Sequence, residues 1–437
     1  MDSIKSCTVT LKEQNLFHAT HKTKPYQNNS DEQWFAIPTN LSPDRDLTSI
    51  SHSTSTSAST SNPTLTLAGA THPLRPLPAS YFSRSRPPPP NPTSIIEQCF
   101  STTLAQSPSL APLAANLPKT YTTYTTFLLF PSSSFSPEWS PYLSSPATLV
   151  PFFQHLAERT RTTHIALNAP IPLSNSSGSN ILRSPSGLVP LFGPWGPSTC
   201  SSPPTSSDFS EAYWAEAHQN GLKQVWAPRW TMFSARNVRE KTRLLGLESV
   251  RRCKGQTAVD LYVGVGYFAF SYLKAGLGTV LGWDLNPWSI EGARKGSGRN
   301  GWRVEVGTEE GEGRVRLFCE GNDRARERVE RMRATLPAVR HINCGLLPTS
   351  RGSWETAVGV MDKRLGGWVH VHENFGAEEV EGKTEWVRGE MEEIVRRSGE
   401  WTEGTRVTVE EVFRVKSYAP GVLHVVVDVR IDPVPGT

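Results

Sequence analysis

The chain has 437 residues, 37% of them apolar and 20% charged, with a formal net charge of +4. That length allows two domains with separate cores, and no apolar run approaches the roughly 18 residues a membrane-crossing helix needs. The six cysteines, Cys7, Cys99, Cys200, Cys253, Cys319 and Cys344, form no C-x-x-C pair, which excludes a zinc-ligand spacing and a disulfide framework and suits a reducing compartment.

The chain divides into three parts. Residues 1–95 form a leader whose stretch from Leu47 to Pro92 is mostly Ser, Thr and Pro, as in SHSTSTSASTS and RPPPPNP. Such a segment cannot bury enough apolar surface to offset its ordering entropy, so it is predicted to be disordered and dispensable for catalysis. The opening MDSIKSCTVTLKEQ lacks the apolar core of a signal peptide and is not Arg-rich like a transit peptide, which leaves a cytoplasmic location as the default expectation. Residues 96–245 are rich in Pro and aromatic residues. Short strand-like pieces such as THIALNAPI (163–171) and dense turn signals, GPWGP and APRW, predict a small mixed α/β module.

From residue 246 to 437 the pattern becomes a regular alternation. TAVDLYVG (257–264), TVLGWD (279–284), RVRLFCE (314–320), VRHINCG (339–345) and GGWVHVHEN (366–374) read as five successive strands, with helix-like segments between them. Asn286-Pro287 starts one of these helices, with Asn as the cap and Pro in the first turn. EVFRVKSYAP (411–420) and GVLHVVVDVRI (421–431) are β-rich runs joined by a Pro-Gly turn. Alternating strands and helices predict a doubly wound, Rossmann-like α/β sheet. The last two strands must pair antiparallel, because a parallel pair needs a long crossover.

The strongest local motif is Asp260-Leu-Tyr-Val-Gly264-Val-Gly266-Tyr-Phe-Ala269. Glycines between a strand and a helix let backbone approach a ligand closely. The spacing alone also suits a dinucleotide. Asp284 ends the next strand, where a carboxylate can accept hydrogen bonds from ribose hydroxyls, and Gly321-Asn322-Asp323 follow the third, where polar groups can read an adenine edge. An acid after each of the first three strands is the pattern of an S-adenosylmethionine site more than of a nicotinamide one.

Three stretches carry a more specific resemblance. QNGLKQVWAPRWTMFSARNVREKTRLLGL (219–247) resembles the tRNA guanosine-37 methyltransferase and wybutosine-synthesising superfamily. INCGLLPTSRGSWETAV (342–358) with the GGWVHVHEN that follows, and VKSYAPGVLHVVVDV (415–429), resemble the wybutosine-synthesising protein 2 family within it. The resemblance covers residues 160 to 437 and implies a class I S-adenosylmethionine-dependent fold. The implied reaction transfers a 3-amino-3-carboxypropyl group to C7 of 4-demethylwyosine at position 37 of phenylalanine tRNA. It also implies that Ser234 and Lys241 hold the co-substrate together with Asp260, Gly264, Gly266, Asp284, Asn322 and Asp323. A hydroxyl and a cation suit the methionine carboxylate. Amino-directed methyltransferases often carry an N-P-P-[YF] motif after the fourth strand. Here that position reads Gly345-Leu-Leu-Pro348-Thr-Ser350, which favours aminocarboxypropyl over methyl transfer.

Cations crowd the segment from Lys223 to Lys254, with Trp226, Trp230 and Phe233 among them, as in a nucleic-acid groove. If that segment is helical, Arg236, Arg239 and Arg243 share one face and are expected to contact tRNA, with Lys241 on another side. The bland alternative is a solvated helix face. His370 and His372 alternate on one strand, so they share a face, and packing and hydrogen bonding are expected of them rather than a metal site. His372 or Glu373 are weak candidates for the base that removes the proton from C7. The family's usual SRGN or SFGN reads Ser234-Ala235-Arg236-Asn237 here, with a side chain where Gly is common, and Val263 and Arg340 stand where the family usually has Ala and Asp. A monomer acting on the tRNA anticodon loop is expected, without a metal. The competing readings are a tRNA guanosine-37 N1-methyltransferase and a tRNA-binding protein with a degenerate site.

Overall fold

The computed structural model describes residues 91–434 apart from 170–173, 176–177 and 186, together with four short strands before them. The chain forms two compact units, Met1–Asn91 and Pro92–Thr437. Within the first, Lys24–Tyr26 pairs antiparallel with Trp34–Ala36, and Thr64–Leu67 with Ala70–Pro73. The second ladder falls inside the stretch whose composition predicts disorder. The rest of that expectation lies outside the described residues.

The second unit begins with helix α1, Pro92–Thr103, a few residues before the expected boundary at 95. Pro at its first position suits a helix start, and Ile95, Ile96, Cys99 and Phe100 turn one apolar face inward. Strands β1 (Thr122–Tyr124), β2 (Phe127–Phe130), β3 (His164–Leu167) and β4 (Val189–Phe192) form a sheet of order β4-β3-β2-β1. The parallel pair β2 and β3 is joined by a crossover containing α2, Val150–Thr160. Phe130, Trp139, Phe152 and Phe153 fill the core between this sheet and its helices. This is the predicted mixed α/β module.

A hairpin follows, β5 (Ala215–Gln219) and β6 (Leu222–Trp226), closed by Asn220 and Gly221, both at positive φ. That turn conformation is the one Asn-Gly favours. Next come α3 (Val238–Gly246) and α4 (Glu248–Arg252).

The large sheet is built from β7 (Thr257–Asp260), β8 (Thr279–Trp283), β9 (Val304–Val306), β10 (Val315–Phe318), β11 (Val339–Cys344), β12 (Gly367–Gly376), β13 (Arg406–Ala419) and β14 (Val422–Asp432). Its order is β9-β10-β8-β7-β11-β12-β14-β13. Every pair from β9 to β12 is parallel, and β14 runs antiparallel to both its neighbours. The five parallel strands and the final antiparallel pair are where the sequence pattern places them. The edge strand β9 is additional. Helices α3 and α4, α5 (Ala269–Ala275) and α6 (Pro287–Arg299) cover one face through Leu244, Val250, Phe270 and Ile290. Helices α7 (Ala325–Met332), α8 (Trp354–Val360) and α9 (Val380–Ser398) cover the other through Val329, Trp354, Val387 and Met391. Trp354 is fully buried, and truncating such a side chain to Ala costs about 3–5 kcal/mol. A further cluster of Phe127, Ala166, Trp195, Trp226 and Val265 joins the small module to the first loop of the large sheet. Among the described residues no helix is long and apolar enough to cross a membrane.

Candidate active site

In a doubly wound sheet the ligand crevice lies beyond the carboxyl ends of the parallel strands. Here that edge gathers most of the residues singled out from the sequence. The loop after β7 runs through Gly264 and Gly266, at φ +52° and +87°. A Cβ on Gly266 would lie 2.4–2.7 Å from the ring of Phe270, so only glycine lets the loop pass this close to α5. Asp284 follows β8 and accepts from Gly264 N at 2.9 Å and from Asn286 N at 2.8 Å. Its carboxylate therefore fixes the glycine loop, and burial pushes its pKa up to about 6. Asn286 caps α6 by accepting from Trp288 N at 2.9 Å, and Pro287 follows as expected.

Asp260 is fully buried. Its Oδ1 accepts from Asn343 Nδ2 at 3.1 Å and Tyr262 N at 3.3 Å, whereas Oδ2 makes no hydrogen bond. Burial, with the nearby Asp284 charge adding to it, pushes this carboxyl up to about 7. Asn322 donates to Leu261 O at 2.9 Å and so closes the crevice on the β10 side, while Asp323 beside it is exposed.

Ser234 is half-buried, and its N–H donates to the Tyr267 hydroxyl at 3.0 Å. Tyr267 in turn donates to Met232 O at 2.6 Å, which pins the segment before α3 to the glycine loop. Lys241 is neither exposed nor paired with Glu240 or Glu248. It is 2% exposed, donates to Gln219 and, at 2.9 Å, to Gln224, and lies 5.2 Å from the Phe233 ring and 5.5 Å from that of Tyr267. Gln224 donates to Gly266 O at 3.4 Å, so this lysine braces the glycine loop from beneath. Burial, then the charge of Lys416, lowers its pKa to about 7.

The loop Gly345–Ser350 after β11 is held by Glu373. One carboxylate oxygen accepts from Ser350 N at 2.7 Å, Thr349 Oγ1 at 2.9 Å and Ser350 Oγ at 3.2 Å. A carboxylate so engaged is a poor base, although burial raises its pKa. His372 bonds through Nδ1 to His424 Nε2 at 3.0 Å, its Nε2 has no partner, and its ring lies 4.9 Å from that of Phe268. Burial, then His424, holds its pKa well below the ordinary value, so it is neutral and able to accept a proton only weakly. His370 bonds to His341 at 2.9 Å and to Asp428 at 2.8 Å, and no group of described residues is arranged to hold a metal ion.

The arginines are placed differently from the expectation. Arg236 lies in a 3-10 turn before α3, and Arg239 on the helix itself; both are exposed. Arg243 does not share their surface. Its side chain is 9% exposed and donates to Glu240, Asp428 and Glu411 at 2.6–3.1 Å, which occupies its whole donor fork. Arg243 therefore has no donor left for a phosphate and does not share the exposed face expected of it with Arg236 and Arg239, because carboxylates of its own helix and of the last two strands take its guanidinium. The departures from the family pattern are accommodated. Val263 is buried against the space left by Gly282, and Arg340 sits near the amino end of β11, away from the crevice. Neither Ala235 nor Arg236 has a positive φ that would demand glycine.

Gln219 and Gln224 were missed by sequence reading, although Asn220-Gly221 between strand-like runs signals the hairpin that carries them. Glu240 was missed for lack of any signal that a helix-borne Glu would be buried.

This strand order, with a glycine loop after the first strand and polar groups after the second and third, defines a class I S-adenosylmethionine-dependent transferase fold. The tRNA wybutosine-synthesizing protein 2 of Schizosaccharomyces pombe is 35% identical over 329 residues, spanning 72% of this chain and 73% of that protein. The Saccharomyces cerevisiae protein of the same name is 32% identical over 293 residues, 62% of this chain and 60% of that one. The structure of P. horikoshii TYW2 in complex with MeSAdo has the same fold, with a TM-score of 0.51 at 18% identity, covering 77% of this chain and 99% of that one. No protein-family model matches the chain. The chain belongs to the tRNA wybutosine-synthesizing protein 2 family.

Proposed function

We propose that the protein transfers the 3-amino-3-carboxypropyl group of S-adenosylmethionine to C7 of 4-demethylwyosine at position 37 of phenylalanine tRNA, in wybutosine biosynthesis. Besides family membership, the observation that carries this reading is the loop Gly345–Ser350, clamped by Glu373 and lacking an Asn-Pro-Pro to hold an amino acceptor.

The residues at the crevice fit the co-substrate. Gly264 and Gly266 bring backbone close to it, and Asp284, already fixed by two backbone N–H groups, has lone pairs left for ribose hydroxyls. Asn322 and Asp323 stand where an adenine edge would lie. Ser234 is proposed to meet the amino-acid end, with Lys241 supporting it from behind. Asp260 orients Asn343 and the start of the glycine loop. When bound, S-adenosylmethionine supplies a carbon activated by the sulfonium, so C7 bonds to that carbon, the C–S bond breaks with its electrons leaving on sulfur, and C7 releases a proton. The chain's contribution is orientation: which of the sulfonium's three carbons faces the acceptor in line decides the product. Arg236 and Arg239 are proposed to hold the tRNA backbone beside the crevice.

The test incubates the protein with S-adenosylmethionine and tRNA carrying the tricyclic base, then weighs the modified nucleoside. The expected product carries the aminocarboxypropyl group. A methyl group on guanosine 37 would make the protein an N1-methyltransferase instead, and absence of co-substrate binding by calorimetry would leave a tRNA-binding protein.

A further inference from the structure

Lys416 lies on β13, in the VKSYAP run, and its ammonium donates to Asn237 Oδ1 at 2.9 Å. Asn237 ends the turn that begins at Ser234, so Lys416 reaches across from the C-terminal hairpin to the segment packed on the glycine loop. Its ladder partner is His424, which meets His372, and His372 faces Phe268 directly after the glycine loop. All of these sit at the carboxyl edge of the parallel strands.

The charges here do not cancel. Lys416 is half-buried, Lys241 is buried behind it, and Arg236 is exposed beside it. Two of them depress a neighbour's pKa: after burial, Lys416 acts on Lys241 and His424, and Arg236 acts on Lys416. Among the described residues none of the three cations has a carboxylate within ion-pair distance; their polar partners are the neutral amides of Asn237, Gln219 and Gln224. Cations crowded together at a half-buried site without an acid are arranged for an anion that comes from outside.

Resting on the proposed reaction, we propose that Lys416 binds the carboxylate of the aminocarboxypropyl end of S-adenosylmethionine and thereby turns that end, rather than the methyl group, toward the acceptor. Half-burial against Asn237, in the turn that follows Ser234, favours a small carboxylate over a backbone phosphate, which the exposed Arg236 and Arg239 are better placed to meet. Lys241, whose ammonium is engaged inside the protein, supports the site without direct contact.

Calorimetry on the full chain separates the possibilities, with S-adenosylmethionine, its decarboxylated form and methylthioadenosine as ligands. The unaltered protein is expected to bind S-adenosylmethionine at least tenfold more tightly than the decarboxylated form. Lys416→Met should remove that preference while changing affinity for the two ligands without a carboxylate by less than twofold, and Lys416→Arg should restore part of it. An equal loss for all three ligands, or none for any, overturns the assignment. So does an unchanged S-adenosylmethionine affinity accompanied by weaker, less salt-dependent tRNA binding, which would make the anion a phosphate. If the unaltered protein binds none of the three, the proposed reaction itself falls, a result distinct from loss confined to the variant. A thermal midpoint for each variant, expected to stay near that of the unaltered protein, checks that the comparison is between folded chains.

Discussion

Helix α3 carries two cations two residues apart, Lys241 turned to the hairpin and Arg243 to the last two strands of the large sheet, and the protein treats them oppositely. Arg243 meets Glu240, Asp428 and Glu411, and Asp428 is bonded in addition to His370, which continues to His341 and the Ser249 carbonyl. Against the burial that would raise it, His370 and Arg243 hold the Asp428 carboxyl well below the usual range. Lys241 meets only neutral amides and aromatic faces, and its nearest charged influence is another cation. Where every donor and acceptor is used, nothing can be added, and the group serves the fold. Where charge is left without a counter-charge next to a crevice, a ligand can supply it. The same contrast separates the fully engaged network at Asp428 from the carboxyl edge, where Asp260 Oδ2 and Asn343 Oδ1 have no partners.

Breaking the filled network should have the largest effect. Arg243→Met keeps volume but leaves Glu240 and Asp428, 0% and 2% exposed, without their guanidinium. Removing one partner of a buried ion pair costs about 3–5 kcal/mol, so the denaturation midpoint should fall sharply. An Arg243→Met protein of normal stability would show that the carboxylates are protonated or hydrated and that the network is not what holds α3 to the sheet.

The next effect belongs to the open side. Asp284→Ala removes an acceptor for ribose hydroxyls, each bond to a charged group being worth about 1.5–3 kcal/mol. S-adenosylmethionine affinity should drop at least tenfold while the circular dichroism spectrum is retained. Affinity within twofold of the original would mean that the crevice lies elsewhere along the sheet.

These two positions also measure what the sequence makes legible. Asp284 was readable because a strand end followed by Asn-Pro has one meaning, a sharp exit into a capped helix, and a carboxylate there must point at the crevice. The succession of five strands and the closing antiparallel pair was legible in the same way, from apolar runs alternating with helix-like segments and from the short final connection, whereas their order across the sheet appears only in the structure. Arg243 was not readable. Its spacing from Arg239 is that of a common solvated face, and its partners come from β13 and β14, about 170–185 residues later in the chain. Local periodicity carries no information about which sheet strand will cover a helix, so burial of Glu240 and Arg243 appears only with tertiary structure. Lys416 was hidden for the same reason: it reaches Asn237 across 179 residues.

Titration sharpens the comparison at an intermediate magnitude. The Lys241 pKa of about 7 lies below the value near 10.4 of an unfolded lysine. Between those values the unfolded chain binds a proton at this position that the folded chain does not, so this group makes stability rise with pH across that window, by at most about 1.4 kcal/mol per pH unit. Below about pH 7 both states carry the proton and the slope from this group vanishes. Stability measured by urea denaturation from pH 7 to 10 should therefore show a more positive slope in the unaltered protein than in Lys241→Met. Equal slopes would mean that Lys241 keeps its proton on folding, and that the neutral amides around it stabilise the ammonium more than its burial suggests.

The smallest expected effect lies on the exposed face of the same segment, where the division between filled and open charge predicts a difference between arginines that look alike in sequence. Arg239 donates to Val415 O at 3.0 Å and stacks 5.5 Å from the Phe413 ring, which leaves other N–H groups of its fork free. Arg236 is exposed on the turn before it. A guanidinium that contacts one phosphate releases about one condensed counterion, so replacing either by Gln should lower tRNA affinity modestly and reduce the slope of log affinity against log salt by about 0.7–0.9. The two changes together should roughly double that reduction, because each contact is separate. S-adenosylmethionine affinity should stay within twofold in Arg239→Gln, which lies outside the group of cations around Lys416. Arg243→Lys should leave the slope unchanged in whatever fraction remains folded, its charge already being committed to Glu240 and Asp428. A salt slope that falls in Arg243→Lys and stays constant in Arg236→Gln and Arg239→Gln would reverse the assignment and place the RNA on the network's side of α3.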